Sequence, residues 1–253
     1  MIDPYDDAEL YDLEYQDHDE DVAHYVSLAR AAGGPTLELG CGSGRLTLAI
    51  AAAGCRIVGV DRSVPMLERL HHKLGRLPAA VRARVRAVAG DYRAVEPGGD
   101  LRFGLVAWPF NALHHCADDA DLRAVLARAR GWVASSGQLA LDAYLPDVEL
   151  YSRDPEARYE PRSFVLPSTG EVLTSWEQGR WDPVARVHHV IYVYRWPDGT
   201  ERRVHLELRM FELDEIRAAL AATGWSIVSE AADFRGRPLT SDALKWVGRA
   251  APV

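Results

Sequence analysis

The stretch TLELGCGSGRL, residues 36–46, decides the fold. It places three glycines, Gly40, Gly42 and Gly44, at alternate positions between a short apolar run and the start of a second one. Glycine loses more conformational freedom on folding than any other residue, so three of them together imply that the backbone has to be bare there. A bare loop between a strand and a helix lets a ligand lie against main-chain N–H groups at the helix N-terminus. The stretch therefore predicts a cofactor loop.

The spacing of these glycines argues against a dinucleotide cofactor. In the dinucleotide fingerprint the third glycine would fall on Arg45, whereas here it falls one residue earlier, on Gly44. Asp61 stands at the predicted end of the second strand, where a carboxylate can accept hydrogen bonds from both hydroxyls of a ribose. Asp91 ends the third predicted strand with Tyr92 beside it, and it can accept a hydrogen bond from an adenine amine. An adenosine without a pyrophosphate fits these positions.

Composition limits the class of protein. A chain of 253 residues with 48% hydrophobic residues can bury the core of one large domain or of a domain with a sizeable insertion. A formal net charge of -8 argues against nucleic acid and against an anionic membrane surface. The cysteines Cys41, Cys55 and Cys116 are too few and too irregularly spaced for a disulfide framework or a zinc site, so we expect no metal. Without a charged-then-apolar leader or an apolar run near the roughly 18 residues of a membrane span, we expect a cytoplasmic protein.

Hydrophobic periodicity predicts an α/β protein. Short apolar runs alternate with helical patterns, which is typical of a parallel sheet covered on both faces; the predicted strands are residues 36–39, 56–60, 85–89, 104–108 and 137–143. The pattern then changes to strand, turn, strand over residues 171–178, 187–196 and 201–211, before a helix at 213–223 and closing strands at 225–231 and 244–249. We expect residues 1–146 and 212–253 to form one α/β domain with an N-terminal lid over about residues 1–30, and residues 147–211 to form an inserted antiparallel β module.

Three segments at predicted strand ends carry a family resemblance. In order and spacing, LELGCGSGR (37–45), GVDRS (59–63) and AGDYR (89–93) resemble the cofactor motifs of class I S-adenosylmethionine (SAM)-dependent methyltransferases. WPFNALHHC (108–116) resembles the fourth-strand motif of the small-molecule branch, which includes glycine-type and amino-sugar N-methyltransferases. The resemblance implies SAM as cofactor and a Rossmann-like seven-stranded sheet with an antiparallel seventh strand, in which the inserted module covers the substrate. One departure is Gly104, where many relatives carry an aspartate.

The resemblance also implies roles for single residues. Glu38 and Gly40 would surround the methionine part of the cofactor, Asp61 would bind the ribose, and Asp91 with Tyr92 would lie at the adenine. The full set assigned to the cofactor is Tyr15, Glu38, Gly40, Cys41, Gly42, Gly44, Arg45, Asp61, Arg62, Asp91, Tyr92, Pro109 and Asn111.

Two adjacent histidines are the first catalytic candidates. A sulfonium methyl is already activated, so the protein must mainly align the acceptor, and a base is useful only where the acceptor arrives protonated. A histidine suits that task because its ordinary pKa lies near neutrality. His114 and His115 follow the fourth strand at the edge of the sheet where ligands of open α/β sheets bind. Adjacent side chains point in different directions, so we favour His115; a structural or surface role for the pair is the alternative.

An acidic N-terminal segment, residues 3–21, supplies the third candidate. It contains Tyr5, Tyr11 and Tyr15 and no lysine or arginine. Aromatic faces attract a sulfonium by cation–π interaction, so we interpret the segment as a lid and favour Tyr15. A plainly solvated terminus is the alternative interpretation.

The hairpin suggests where the acceptor binds. Pairing Trp196 with Glu201 across the turn at 197–200 would place Tyr192 and Arg209 on one polar and aromatic face, and Ile191 and the other odd-numbered apolar residues of that strand on the opposite face. Arg209 can pair with an anionic group, although simple solvent exposure of this face is the alternative. The residues assigned to the acceptor are Asn111, His115, Tyr192 and Arg209.

The function expected from these features is methyl transfer to a small molecule, with nitrogen favoured and oxygen, carbon or sulfur left open. Two alternatives use the same cofactor motifs. One is a SAM-dependent cyclisation or aminocarboxypropyl transfer, and the other is a SAM-binding regulator without turnover. The sequence leaves the oligomeric state open.

Overall fold

The computed structural model describes residues 3–253, which form a seven-stranded sheet flanked by helices and a separate four-stranded sheet. The helices are α1 (Ala8–Glu14), α2 (Val22–Ala31), α3 (Arg45–Ala52), α4 (Val64–Gly75), α5 (Ala79–Arg82), α6 (Asp119–Trp132), α7 (Val148–Tyr151) and α8 (Leu213–Ala222). The strands are β1 (Thr36–Leu39), β2 (Ile57–Asp61), β3 (Val85–Ala89), β4 (Phe103–Trp108), β5 (Val133–Tyr144), β6 (Tyr159–Val165), β7 (Val172–Asp182), β8 (Val187–Arg195), β9 (Glu201–Arg209), β10 (Trp225–Ala231) and β11 (Lys245–Pro252).

The large sheet has the predicted topology. Its order is β10-β11-β5-β4-β1-β2-β3. Strands β1 to β5 pair in parallel, whereas β11, the seventh strand of this sheet along the chain, runs antiparallel to both β5 and β10. Helices α2 and α3 cover one face, and α6 and α8 cover the other. The Rossmann-like α/β fold with a reversed seventh strand is thus confirmed.

Gly104, the position that departs from many relatives, has a packing explanation. A Cβ at this residue would lie 2.8 Å from the carbonyl oxygen of Ala32 and 3.1 Å from the nitrogen of Gly34. The chain that leads from α2 into β1 therefore passes directly against β4. Any side chain would push these backbones apart, so the absence of an aspartate is a condition of close packing here.

The four-stranded sheet lies between β5 and α8 along the chain and has the order β6-β7-β8-β9. Sequence patterns predicted three of its strands but not β6. An inserted antiparallel sheet is confirmed, while the division of the chain into units at residues 147 and 211 stays a prediction.

The predicted register of the β8–β9 hairpin was wrong by one residue. Arg195, not Trp196, pairs with Glu201, because the turn closes on a hydrogen bond from the Trp196 nitrogen to the Thr200 oxygen and Gly199 takes a left-handed φ of 88°. Tyr192 therefore lies opposite Val204. The face that carries Tyr192 faces the rest of the protein, and Arg209 pairs with Val187. A three-residue turn with its last residue in the left-handed region is a common hairpin form that the sequence also permitted.

Candidate active site

A cavity opens at the carboxyl edge of the large sheet, and we call it the main cavity. It is lined by residues that directly follow β1, β2, β3 and β4, and by the N-terminal segment. The assigned cofactor residues that line it are Glu38, Gly40, Cys41, Gly42, Arg45, Asp61, Arg62, Asp91, Tyr92 and Pro109. Tyr15, Gly44 and Asn111 are not among its lining residues.

The glycine loop is held in place by its backbone. The nitrogens of Gly40 and Cys41 both donate to the Val60 oxygen, at 2.9 and 3.0 Å. Gly42 has a left-handed φ of 52°, and a Cβ there would meet nothing within 4 Å, so its bare backbone faces open space. Gly44 is different, because a Cβ there would lie 2.2 Å from Leu70 Cδ1. The missing side chain of Gly42 leaves space in the main cavity, whereas the missing side chain of Gly44 leaves room for α4 to pack against the loop.

Glu38 brings a buried carboxyl group to the floor of the main cavity. Its side chain is 2% exposed, and its Oε2 accepts a hydrogen bond from the Thr47 hydroxyl. Burial raises the pKa of Glu38 to about 8, although the Thr47 hydrogen bond and the charge of Arg45 oppose this shift. Removing a carboxylate from water is costly unless a cation compensates it. The site therefore favours a positively charged ligand next to Glu38.

Asp61 and Asp91 differ in how freely they can bind a ligand. Each oxygen of Asp61 accepts one backbone N–H, from Gly42 at 2.7 Å and from Ser63 at 2.8 Å, and burial raises its pKa. A carboxylate oxygen has two acceptor sites, so Asp61 can still accept from two hydroxyls. Asp91 instead forms a bidentate ion pair with Arg93, whose hydrogen bonds lower the Asp91 pKa. Arg93 also lines the main cavity and was missed from the sequence.

The residues after β4 adopt an unusual conformation. Phe110 and Asn111 both have left-handed backbones, with φ of 60° and 58°. The buried carboxylate of Asp142, at the end of β5, accepts both of their backbone N–H groups at 3.0 and 3.1 Å and the Tyr25 hydroxyl at 2.6 Å. Burial raises the pKa of Asp142 to about 6. Two successive left-handed non-glycine residues are strained, and this carboxylate stabilises them.

The two histidines have separate environments, as adjacent side chains should. His115 lines the main cavity, and its Nε2 lies 2.8 Å from the Tyr5 hydroxyl. Burial lowers its pKa to about 4, so it is neutral at physiological pH. His114 is buried with Nδ1 2.9 Å from the Arg209 oxygen and Nε2 2.9 Å from the Tyr144 oxygen. Since both of its nitrogens contact backbone carbonyls, His114 does not face the main cavity and is not placed to act as a base.

The N-terminal segment covers the main cavity, but not with the expected tyrosine. Tyr5 and Tyr11 line the main cavity. Tyr15 lies beyond Tyr11, with their ring centroids 4.7 Å apart, and its hydroxyl is 2.9 Å from that of Tyr192. Tyr15 and Tyr192 line a smaller cavity between α1 and the inserted sheet.

Arg209, assigned to the acceptor, lies away from the main cavity. Its guanidinium is 3.6 Å from both Asp119 and Glu215 and lies over the Phe211 ring at 4.6 Å. Its side chain is 12% exposed. The register error explains the difference, because the shift by one residue turns Arg209 from the face of Tyr192 to the other face of the hairpin. These contacts indicate a structural role for Arg209.

Phe110 and Ser43 also line the main cavity and were missed by sequence reasoning. Phe110 lies within the motif WPFNALHHC, but nothing in the sequence predicts its left-handed backbone. Among residues 3–253 no group of three or more histidine, cysteine, aspartate or glutamate side chains is arranged to hold a metal ion. Within the same residues, no helix has the length and apolar character needed to cross a membrane.

Known proteins share parts of this sequence. A family model described as a methyltransferase domain matches residues 36–137. The cypemycin N-terminal methyltransferase of a Streptomyces species is 32% identical over 123 residues, which are 48% of this chain and 47% of that protein. The chain spans about half the length of the curated relatives it matches.

Solved structures share the whole fold. The CcbJ methyltransferase from Streptomyces caelestis superposes with a TM-score of 0.77 at 22% identity, covering 92% of this chain and 94% of that chain. The SAM-bound CalS10, an amino pentose methyltransferase from Micromonospora echinaspora, superposes with a TM-score of 0.66 at 23% identity, covering 92% and 90%. At these identities the likeness shows the fold. Residues 36–137 thus match the methyltransferase domain, and the chain shares the fold of these solved methyltransferases, with the reversed seventh strand in place.

Proposed function

We propose that the protein transfers a methyl group from SAM to a small molecule, at nitrogen. The observation that carries this proposal is the main cavity, which joins a bare-backbone loop to two carboxyl groups, Glu38 and Asp61, at the carboxyl edge of the sheet. When bound, SAM supplies a methyl group on a positively charged sulfonium.

The residues of the main cavity fit such a cofactor. Glu38 is a buried carboxyl group whose only hydrogen bond among residues 3–253 comes from Thr47, so a cationic group beside it would compensate its charge. Asp61 keeps acceptor sites for ribose hydroxyls. Gly42 leaves the open space that a closely approaching ligand needs. Tyr92 and Asp91 also line the main cavity, and we expect them beside the adenine.

His115 is the proposed base for an acceptor that arrives protonated. It lines the main cavity and burial keeps it neutral, so it can accept a proton, and the Tyr5 hydroxyl fixes the orientation of its ring. Asn111 and Tyr192 remain candidates for the acceptor, although neither lines the main cavity.

Nitrogen is favoured because two similar proteins are an amino pentose methyltransferase and an N-terminal methyltransferase. We propose that the protein acts in the cytoplasm and that its substrate is a metabolite, not a nucleic acid. Mass analysis of products from an amine panel distinguishes methyl transfer, which adds one methylene unit, from aminocarboxypropyl transfer or no turnover.

Cofactor binding is the first experiment. S-adenosylhomocysteine (SAH) should bind in calorimetry, and Asp61→Asn should weaken it by roughly 1 to 3 kcal/mol, the range for a lost hydrogen bond to a charged group. The control is Asp198→Asn, because Asp198 also accepts a backbone N–H, from Thr200 at 2.9 Å, but in the exposed hairpin turn. An equal dissociation constant for the Asp61 variant and the control would show that the ribose site is assigned wrongly.

A further inference from the structure

The segment that follows β4 forms one wall of the main cavity, and a buried carboxylate outside the cavity holds it. The residues of this wall that line the main cavity are Pro109, Phe110, Ala112 and His115. Asp142, which is 1% exposed, is not among the lining residues. Asp142 can therefore influence a bound ligand only through the wall that it holds.

The wall begins with two residues whose backbone is strained. Phe110 and Asn111 have φ of 60° and 58°, a region that residues other than glycine rarely adopt. Asp142 accepts the backbone N–H of both, at 3.0 and 3.1 Å, and the Tyr25 hydroxyl donates to the same carboxylate at 2.6 Å. The short turn that carries His115 starts at Asn111, whose carbonyl oxygen accepts a backbone N–H of that turn at 3.0 Å. A chain of hydrogen bonds thus runs from Asp142 through the strained pair to the turn of His115.

The geometry of these hydrogen bonds fits an ionised Asp142. A carboxylate only accepts hydrogen bonds, whereas a protonated carboxyl group also has an O–H that must donate. The Phe110 N–H points at one oxygen of Asp142 and the Asn111 N–H points at the other, and a backbone N–H can only donate. A proton on either oxygen would therefore weaken the hydrogen bond to one of the two strained residues.

The surroundings of Asp142 oppose this charge. Its hydrogen bonds among residues 3–253 come from two backbone N–H groups and a tyrosine, and none comes from a cation. The titratable groups that line a small cavity with it are His18, Glu20, Asp21, Tyr144 and Lys245, of which Glu20 pairs with Lys245, and Asp21 pairs with Arg45 outside that set. Burial raises the pKa of Asp142 to about 6, and the charge of Asp21 adds to the shift, while the three hydrogen bonds oppose it. Keeping Asp142 ionised above pH 6 thus costs fold stability, which is typical of functional sites.

We propose that Asp142 is a positioning residue of the active site, whose carboxylate holds Phe110 and His115 against the cofactor through the strained backbone of Phe110 and Asn111. This inference rests on the proposed function, because it concerns the same cavity. When Asp142 takes up a proton, a smaller fraction of molecules has the wall in place, and the apparent cofactor affinity falls by that fraction. A loss of affinity near pH 6 therefore reports Asp142, whereas burial lowers the pKa of His115 to about 4.

The test measures the dissociation constant of SAH for the full chain by calorimetry over roughly pH 5 to 8, the span around this titration. The constant of the unaltered protein should rise as the pH falls through about 6. Asp142→Asn cannot ionise, so it should bind SAH roughly tenfold more weakly at the upper end of this span and should lack the change near pH 6. Glu38 and Asp61 are present in both proteins, so the comparison removes their titrations.

Asp182→Asn is the matched control. Asp182 also accepts two successive backbone N–H groups, at 2.9 and 3.0 Å, but in the exposed turn between β7 and β8. This variant should bind SAH with the affinity and the pH dependence of the unaltered protein.

Two further variants separate positioning from simple packing. Tyr25→Phe keeps the carboxylate but removes one donor to it, so the change in SAH affinity should move to higher pH. Asn111→Gly relieves the strain at its position, because glycine adopts a left-handed φ freely. Asp142→Asn should therefore cost at least about threefold less SAH affinity in the Asn111→Gly protein than in the unaltered protein, a coupling between the two sites.

Three results would each overturn the inference: no change in SAH affinity near pH 6 in the unaltered protein, a change near pH 6 that persists in Asp142→Asn, or an equal cost of Asp142→Asn with and without Asn111→Gly. If Asp142→Asn does not fold, Tyr25→Phe decides, and an unmoved midpoint overturns the inference. In all these cases SAH still binds the unaltered protein and the proposed function stands. SAH that fails to bind the unaltered protein removes both.

Discussion

The glycine loop and the N-terminal segment face each other across the main cavity, but different interactions hold them. The loop is fixed by backbone hydrogen bonds to the neighbouring strand, such as those from Gly40 and Cys41 to Val60. The N-terminal segment is fixed by side chains from distant parts of the chain: Asp12 binds Arg69 and Lys73 of α4, and Asp7 binds Arg202 of β9. The loop is thus held to the sheet by its own backbone, whereas the segment depends on side-chain contacts, namely these ion pairs and the packing of buried Leu10 against the inserted sheet. Substitutions should therefore affect the glycine loop and the N-terminal segment differently.

The largest effect is expected from Gly44→Ala in the loop. Alanine would have to adopt the left-handed φ of 89° that Gly44 has, and its Cβ would meet Leu70 Cδ1 in the core. Strain and overpacking together should lower the free energy of unfolding by roughly 2 to 5 kcal/mol, measured by denaturant titration. Gly54→Ala is the control, since Gly54 has a φ of 99° and nothing within 4 Å, so only the strain applies. If both variants lost the same free energy of unfolding, close packing against Leu70 would not be the reason for glycine at position 44.

The second effect tests a contact between the N-terminal segment and the residues after β4, the Tyr5–His115 hydrogen bond. If His115 is the base, His115→Asn should lower kcat by about 10² or more with little change in SAH affinity. Burial lowers the pKa of His115 to about 4, so any acidic limb of the pH–rate profile that it causes should lie near pH 4 and not near 6.5. Tyr5→Phe keeps the ring but removes the hydroxyl, and it should shift that limb. If His115→Asn kept full activity, another residue would have to accept the proton from the acceptor.

The third effect concerns Glu38 and the charge of the cofactor. Its folded pKa of about 8 lies above the model-peptide value of 4.5, so this group stabilises the fold below pH 4.5 and loses that contribution as the pH rises through 8. A cationic cofactor should bind the ionised form, so SAM affinity should increase roughly tenfold for each unit by which the pH rises, until it levels off above about 8. Calorimetry in buffers of different ionisation enthalpy should detect a released proton near pH 7. Glu38→Gln should abolish both the slope and the proton release, and a slope that persists would exclude Glu38.

The same contrast explains what the sequence could predict. The loop, Asp61 and Asp91 were identified because a strand, a bare turn and a helix follow one another within a few residues, and β2 and β3 repeat that geometry. The N-terminal segment could not be placed in this way, since the partner of Asp7 is 195 residues away. The acidic and aromatic composition of the segment predicted a lid, but only the packing of α1 shows that Tyr5 and Tyr11, and not Tyr15, line the main cavity.

The acceptor side was predicted least well, and for a physical reason. The side chains of a strand alternate between its two faces. An error of one residue in the hairpin turn therefore assigned every side chain of β9, including Arg209, to the wrong face relative to β8. Asn111 takes its position from a left-handed backbone that Asp142 stabilises from another strand. Residues that depend on contacts between distant elements are those that a single sequence leaves undetermined.

The smallest effect is expected from Asp12→Asn in the N-terminal segment. Burial alone would raise the pKa of Asp12, but hydrogen bonds from Lys73, Ser43 and Arg69 lower it below its ordinary value. The stabilisation that Asp12 gives to the fold is therefore present above its ordinary pKa of 3.8 and is lost as the pH falls below it. Its partners are partly exposed, which limits the loss to roughly 1 kcal/mol or less in the free energy of unfolding. Hydrogen exchange should nevertheless rise over residues 3–21 while β1 and β2 keep their protection, because the loop holds itself. The control is Asp17→Asn, an exposed residue of the same segment without an ion pair or side-chain hydrogen bond among the described residues. If β1 and β2 lost protection together with the segment, the two regions would be one cooperative unit and the contrast between them would fail.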